Sequence, residues 1–224
     1  MPATLAPVFV RELKLTNFRN YTSLKLEMDE RHVVLTGDNG AGKTNLMEAI
    51  SFLSPGRGLR RAKYDKVGRS LSSGAWSVFC ELEGAQGPVS IGTGLYETAM
   101  GVESIRRVRI NSAPAKAADE LLEHSRIVWL TPSMDGLFTG GAAERRKFLD
   151  RMVLAIDPMH GRRVADFEKS MRGRNKLLSE DAPDSQWMDA LEAQMAELGT
   201  AIIAARMEFI DLLSNAIINN HDSA

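Results

Sequence analysis

Apolar and polar residues alternate from the start of the chain: Val8 and Val10, then Leu13 and Leu15, then Leu24, Leu26 and Met28. A polar break at Thr16-Asn17, followed by Phe18-Arg19-Asn20-Tyr21, divides them, so the pattern predicts strands joined by a turn. Val33-Val34-Leu35 is a short β-branched run and predicts a buried strand ending at Thr36. Leu46, Met47, Ile50 and Leu53 then recur at helical spacing, which predicts a helix over 43–54 stopped by Ser54-Pro55-Gly56. Alternation returns at Trp76, Val78, Cys80 and Leu82, at Val89, Ile91 and Leu95, and over 105–110 before an Asn111-Ser112 turn. These read as an antiparallel set separated by glycine-rich loops. A short helix is predicted at 119–124 and a buried strand at Ile127-Val128-Trp129-Leu130.

From Thr131-Pro132 the period changes. Phe148, Leu149, Met152, Val153 and Ile156 line one helix, and Val164, Phe167, Met171 and Leu178 a second. Trp187, Leu191, Met195, Leu198, Ile202, Ala205, Phe209 and Leu212 hold a three-to-four spacing, as a bundle or coiled-coil face does. The expected organisation is an α/β lobe over 1–131, with a mixed sheet around the first helix, followed by the start of a helical lobe over 132–224.

Between the predicted strand at 33–36 and the helix lies Gly37-Asp38-Asn39-Gly40-Ala41-Gly42-Lys43-Thr44, which fits G-x-x-x-x-G-K-[ST]. Strand, loop and helix in that order are the context that makes such a match meaningful. Glycines let the backbone curl so that N–H groups point at phosphate oxygens, and the helix N-terminus adds positive potential. Lys43 is placed to reach the β/γ-phosphates and the Thr44 hydroxyl to hold Mg²⁺. The alternative is a glycine-rich turn with no ligand.

Composition adds limits. With 224 residues, 44% hydrophobic and 25% charged, the chain has an ordinary globular composition, long enough for one large domain or one and part of another. One cysteine, Cys80, excludes an internal disulfide framework and suits a reducing compartment. The opening MPATLAPVFV has no basic n-region and no run approaches a membrane span, so a cytoplasmic location without a membrane partner is expected. Four scattered histidines and one cysteine make a zinc site improbable, and no nucleophilic triad is visible.

The net charge of −1 conceals an uneven distribution. Residues 57–69 carry six basic side chains and one acid, residues 141–176 carry ten and five, and residues 177–224 carry one and nine. Arg57, Arg60, Arg61 and Lys63, in a loop punctuated by Gly and Pro, suit DNA phosphates, with a solvated loop as the plain alternative. Arg145 and Arg146, on the polar side of an amphipathic helix, suit a phosphate-facing role or salt bridges to the acidic segment.

Taken together these blocks resemble the RecF family of bacterial recombination and gap-repair ATPases. Leu15 to Tyr21 is similar to its L-x-N-F-R-N-Y opening, and residues 37–50 to G-x-N-G-x-G-K-T-N-x-x-E-A-I. Ser54-Pro55-Gly56-Arg57-Gly58-Leu59-Arg60, Leu130-Thr131-Pro132, and Arg145-Arg146-Lys147-Phe148-Leu149-Asp150 follow in the family's order. Arg174-Asn175-Lys176-Leu177-Leu178 resembles Q-R-N-x-L-L, with Gly173 in place of glutamine.

The resemblance implies an ABC-type ATPase head related to SMC heads, in which two copies sandwich ATP with Mg²⁺ and close on DNA. ATP then acts as a dimerisation switch, and RecO and RecR are the partners that direct RecA onto single- or double-stranded gapped DNA. It implies that residues 37–45, including Asn45, hold the nucleotide. Arg19 and Asn20 lie where related heads place groups near it, and Phe18 or Tyr21 is placed to stack on adenine or to fill the core.

Two departures stand out. Ser133 replaces the family's acid after Thr-Pro, with Asp135 as a possible substitute near Mg²⁺. The catalytic Asp-acid strand and the L-S-x-G-Q signature are not found; Val153-Leu154-Ala155-Ile156-Asp157 imitates the strand but is followed by Pro158. The chain therefore resembles an N-terminal piece of a family member, with no catalytic residue assigned and little or no hydrolysis expected. A transport-type ABC subunit and a nucleotide-independent structural fragment are the rival readings.

Overall fold

The structure is a computed structural model that describes residues 8–70, 72–84, 87–99, 101–180 and 184–221, with side chains to Asn219. Most of the opening MPATLAPVFV stretch and the His221 side chain lie outside the described residues. The chain divides into two compact units, Met1–Trp129 and Leu130–Ala224.

In the first unit, β1 (Phe9–Phe18) and β2 (Tyr21–Glu27) form the predicted hairpin. After α1 (Lys43–Ser51) come β3 (Trp76–Gly84) and β4 (Gly87–Leu95). β5 (Glu97–Thr98) and β6 (Gly101–Val102) make a separate two-stranded ribbon, and β7 (Arg107–Ile110) and β8 (Ala113–Pro114) complete the main sheet. Its order is β2-β1-β3-β4-β7-β8. Every pairing among the described residues is antiparallel, so the α/β lobe carries an antiparallel sheet where a mixed one was expected.

Strand alternation places Leu13 and Leu15 of β1 on one buried face with Trp76, Val78, Cys80 and Leu82 of β3 and Ile91 of β4; Phe18 joins them because Asn17, with φ +48°, breaks the alternation. α1 and the turn after it cover that face with Ala49, Phe52 and Leu53. Phe18, Phe52 and Trp76 pack as a triad with ring centroids 5.0 to 6.0 Å apart. Trp76 Nε1–H donates to the Tyr64 carbonyl at 2.9 Å, so its polar edge is satisfied.

Four predicted elements differ. α1 ends at Ser51 rather than 54, because the next carbonyls are taken by side chains instead of a further helical turn. The buried Arg106 guanidinium donates to the carbonyls of Phe52, Ser54 (3.2 Å) and Gly56 (2.9 Å), and Ser125 Oγ donates to that of Leu53 at 3.0 Å. A cation there also complements the negative end of the helix dipole. Residues 33–36 and 127–130 are not strands, and Val34 and Leu130 are 81% and 66% exposed. An apolar β-branched run becomes a strand only where another strand supplies its ladder, and none of the described strands lies beside these two. The helix predicted at 119–124 is a 3₁₀ segment, Ala118–Glu123.

The second unit holds α2 (Ala142–Leu154), α3 (His160–Leu177) and the 37-residue α4 (Ser185–His221). α3 packs along the first part of α4, where Ile202 and Ala205 are buried. Gly173, the departure noted above, faces Leu191 of α4, and a Cβ there would make ordinary van der Waals contact with it at 3.5 Å. Asp150 of α2 joins all three helices, accepting from His160 Nε2 at 2.8 Å and from Arg206 Nε and Nη2 at 2.8 and 2.9 Å. Not all of the long apolar stripe is covered; Trp187 and Leu212 are exposed.

Candidate nucleotide and nucleic-acid site

The loop at 37–44 curls because Gly37, Gly40 and Gly42 take φ of 133°, 89° and 108°, a region side chains with a Cβ rarely adopt. Gly42 has a second reason to be glycine. A Cβ there would meet Tyr21 Oη at 2.5 Å and Asn20 Nδ2 at 2.8 Å. Residue 42 is also the N-cap of α1, with no side-chain cap and no acid in the first turn. The leading N–H groups of the helix and its partial positive charge therefore face the loop without a neutralising carboxylate.

Lys43 Nζ sits inside the curl, donating to the carbonyls of Gly37 (2.6 Å) and Asp38 (2.8 Å). Thr44 is exposed at the helix start, and its hydroxyl has no hydrogen-bond partner among the described residues. A cationic amine, free helix-terminal donors and an unengaged hydroxyl within one loop fit the chemistry of a magnesium-bound polyphosphate.

The turn between β1 and β2 lies against this loop. Arg19, at its first central position, has φ +54°, which is strained for a residue with a long side chain. It is held there by its own N–H to the Val67 carbonyl at 3.0 Å and by its guanidinium, which donates to the Lys66 carbonyl at 2.7 Å. The other guanidinium nitrogens donate to Glu48, Nε to Oε2 at 2.8 Å and Nη2 to Oε1 at 2.5 Å. Asn20 Nδ2 reaches the Ala41 carbonyl at 3.4 Å, and its Oδ1 accepts from Asn45 Nδ2 at 2.8 Å. Phe18 is fully buried in the aromatic triad, so it is a core residue and not an adenine platform. Tyr21 is half-buried over Gly42, and desolvation raises the pKa of its hydroxyl.

Glu48 was visible in sequence only as part of a motif. Its carboxylate is 0% exposed, between Arg19 and Arg60, and Arg60 Nη1 donates both to it (2.5 Å) and to Asn45 Oδ1 (2.7 Å). The available signal was a carboxylate inside an otherwise apolar helical stripe, four residues after Thr44, where burial requires paired charge. Arg106 was missed as well; an arginine inside a strand candidate offers no clue to the carbonyls it will meet.

The remaining basic residues divide by their engagement. Arg57, Arg61 and Lys63 are exposed and make no side-chain hydrogen bond or ion pair among the described residues, whereas Arg60 is committed to Glu48 and Asn45. In the second unit Arg145 donates to the Gly140 carbonyl at 2.6 Å and Arg146 is exposed. Arg163 pairs with Asp157, Arg162 with Asp166 and Arg172 with Glu168, while Arg174 pairs with Glu192 of the acidic segment. The sequence Val153–Asp157 ends a helix and starts no strand, as its amphipathic spacing indicated. Asp135 and Ser133 are exposed in the second unit, and no group of three metal-ligating side chains occurs among the described residues.

Comparison with known proteins gives a consistent picture. Residues 9–94 match the family described as RecF/RecN/SMC N terminal domain. The DNA replication and repair protein RecF of Rhizobium rhizogenes is 56% identical over 216 residues, 96% of this chain and 57% of that protein. RecF of Rhizobium meliloti is 56% identical over 92% of this chain and 55% of its own length. A solved structure of the recombination mediator protein RecF with ATPγS in the RecFOR pathway superposes with a TM-score of 0.83 at 28% identity, over 93% of this chain and 56% of that one. The chain thus spans little more than half the length of the relatives it matches.

Proposed function

Because the chain belongs to the RecF family, we propose that it binds ATP in the 37–45 loop and DNA through its basic segment, in the service of DNA replication and repair. The observation that carries this reading is the Lys43 ammonium centred on the Gly37 and Asp38 carbonyls beneath the uncapped start of α1. Lys43 and the loop N–H groups grip the β- and γ-phosphates, Thr44 holds Mg²⁺, and Arg19, Asn20 and Asn45 form the adjoining wall. Arg57, Arg61 and Lys63 meet DNA phosphates, with Arg60 beside them and Arg145 and Arg146 as a further basic surface. ATP serves as the signal for two copies to associate on gapped DNA in the cytoplasm, in recombinational repair with RecO and RecR. Support for this wider setting comes from the relatives, whose structures are of a recombination mediator with ATP or its analogue.

ATP with Mg²⁺ at about a hundredfold its Kd should raise folding stability by about 2.7 kcal/mol, read as a higher Tm, and Lys43→Ala should remove the gain. Equal stabilisation of the Lys43→Ala protein sinks the nucleotide assignment. DNA affinity for a gapped duplex, followed by anisotropy across a salt series, should fall in the Arg57→Glu/Arg61→Glu variant with a shallower salt slope. An unchanged slope removes the basic segment from the interface.

A further inference from the structure

One buried carboxylate links the phosphate loop to the basic segment 57–69. Glu48 lies on α1 four residues beyond Thr44, so it shares a helix face with that hydroxyl. From the loop side, the Ala41 carbonyl accepts from Asn20, Asn20 accepts from Asn45, and Asn45 accepts from Arg60. From the segment side, Arg60 donates to Glu48, and Arg19 donates both to Glu48 and to the Lys66 carbonyl. The segment is therefore fastened at residues 60 and 66 to the same carboxylate, one contact direct and one through Arg19. Neighbouring Arg57, Arg61 and Lys63 are left without side-chain partners among the described residues.

A carboxylate with no solvent exposure is stable only while its two cations stay in place. Asn20, bonded to the Ala41 carbonyl, and Asn45, two residues beyond Lys43, border the loop, so an anion gripped there acts on the amides that hold Arg60. The fastening and the loop share parts and cannot respond independently.

We propose that Glu48 is a positioning residue that couples polyphosphate binding in the loop to the order of the basic segment 57–69. The proposal rests on the nucleotide-binding reading of the loop and adds a regulatory consequence to it. Nucleotide occupancy resets how firmly residues 60 and 66 are held, and with them the presentation of the free cations between and beside them. Glu48 touches no phosphate in this scheme; it acts through Arg19 and Arg60.

The test uses hydrogen exchange of the 224-residue chain with and without ATP and Mg²⁺, at concentrations that calorimetry shows to be saturating for each variant. In the unaltered protein, ATP should change amide exchange across 57–69 by about fivefold or more. Glu48→Gln should abolish that response at both fastenings. Arg60→Gln, which removes one of the two cations but leaves Glu48 its two-point pair with Arg19, should abolish it near residue 60 and retain it near Lys66 through Arg19. That second variant carries the test if circular dichroism shows Glu48→Gln to be unfolded. A response in Glu48→Gln equal to that of the unaltered chain overturns the proposal, as does a uniform response in Arg60→Gln. ATP binding with an unresponsive segment overturns the coupling alone. No ATP binding to the unaltered chain overturns the nucleotide reading and the coupling with it.

Discussion

Gly42 shows how much a single atom is worth in this site. Its φ of 108° and its contact with Tyr21 and Asn20 leave no room for a methyl group. Gly42→Ala should cost about 1–3 kcal/mol of stability, measured by urea denaturation, and should weaken ATP binding as the Tyr21 ring moves aside. Gly40→Ala is the control: its positive φ is strained too, but a Cβ there meets nothing within 4 Å. Equal losses in the two variants rule out crowding at Gly42.

At this scale the phosphate loop was legible because its chemistry is local, set by residues eight positions apart at most. Glu48 and Arg106 were not. Each owes its role to partners far away in sequence, Arg19 and Arg60 for the first and the carbonyls after α1 for the second. Spacing along one element cannot reveal such partners. Phe18 is the intermediate case: it was read in the turn after the polar break, where a core role and adenine stacking both stayed open.

Among the elements, helices and hairpins were read well because their own side-chain period encodes the buried face. The isolated runs at 33–36 and 127–130 were misread because strand formation depends on a neighbour that local pattern does not specify. The clasp joining α2, α3 and α4 illustrates the same point with a measurable consequence. Burial at Asp150 by itself raises its pKa, but hydrogen bonds from His160 and Arg206 outweigh it and hold the carboxyl below its ordinary value. A folded pKa below the unfolded one stabilises the fold fully above about pH 4, and that contribution fades as pH falls through the folded value. Asp150→Asn should therefore cost about 2 kcal/mol near neutral pH and flatten the acid side of the stability curve. An acid limb as steep as that of the unaltered chain, followed by thermal melts from pH 3 to 6, excludes Asp150 as its source.

Over the whole molecule, the change from strand period to helical period near residue 131 falls close to where the contacts divide the chain into two units. Length and charge pattern did not foretell which cations would be free, because Arg162 and Arg172 found acids one helical turn away while Arg163, Arg174 and Arg206 found theirs farther along the chain. The exposed run at Val33-Val34 has a further, colloidal consequence. An exposed apolar β-branched stretch that joins no strand among the described residues is a template for another chain, and a net charge of −1 supplies little repulsion to keep copies apart. Concentrated solutions should therefore self-associate slowly through this stretch. Val34→Lys, at a position 81% exposed, should raise the concentration at which light scattering first climbs, without lowering Tm. The phosphate loop follows directly after this run, so the same lysine also reports whether aggregation hides the nucleotide site: ATP titrations of aged samples should keep their stoichiometry only in the variant.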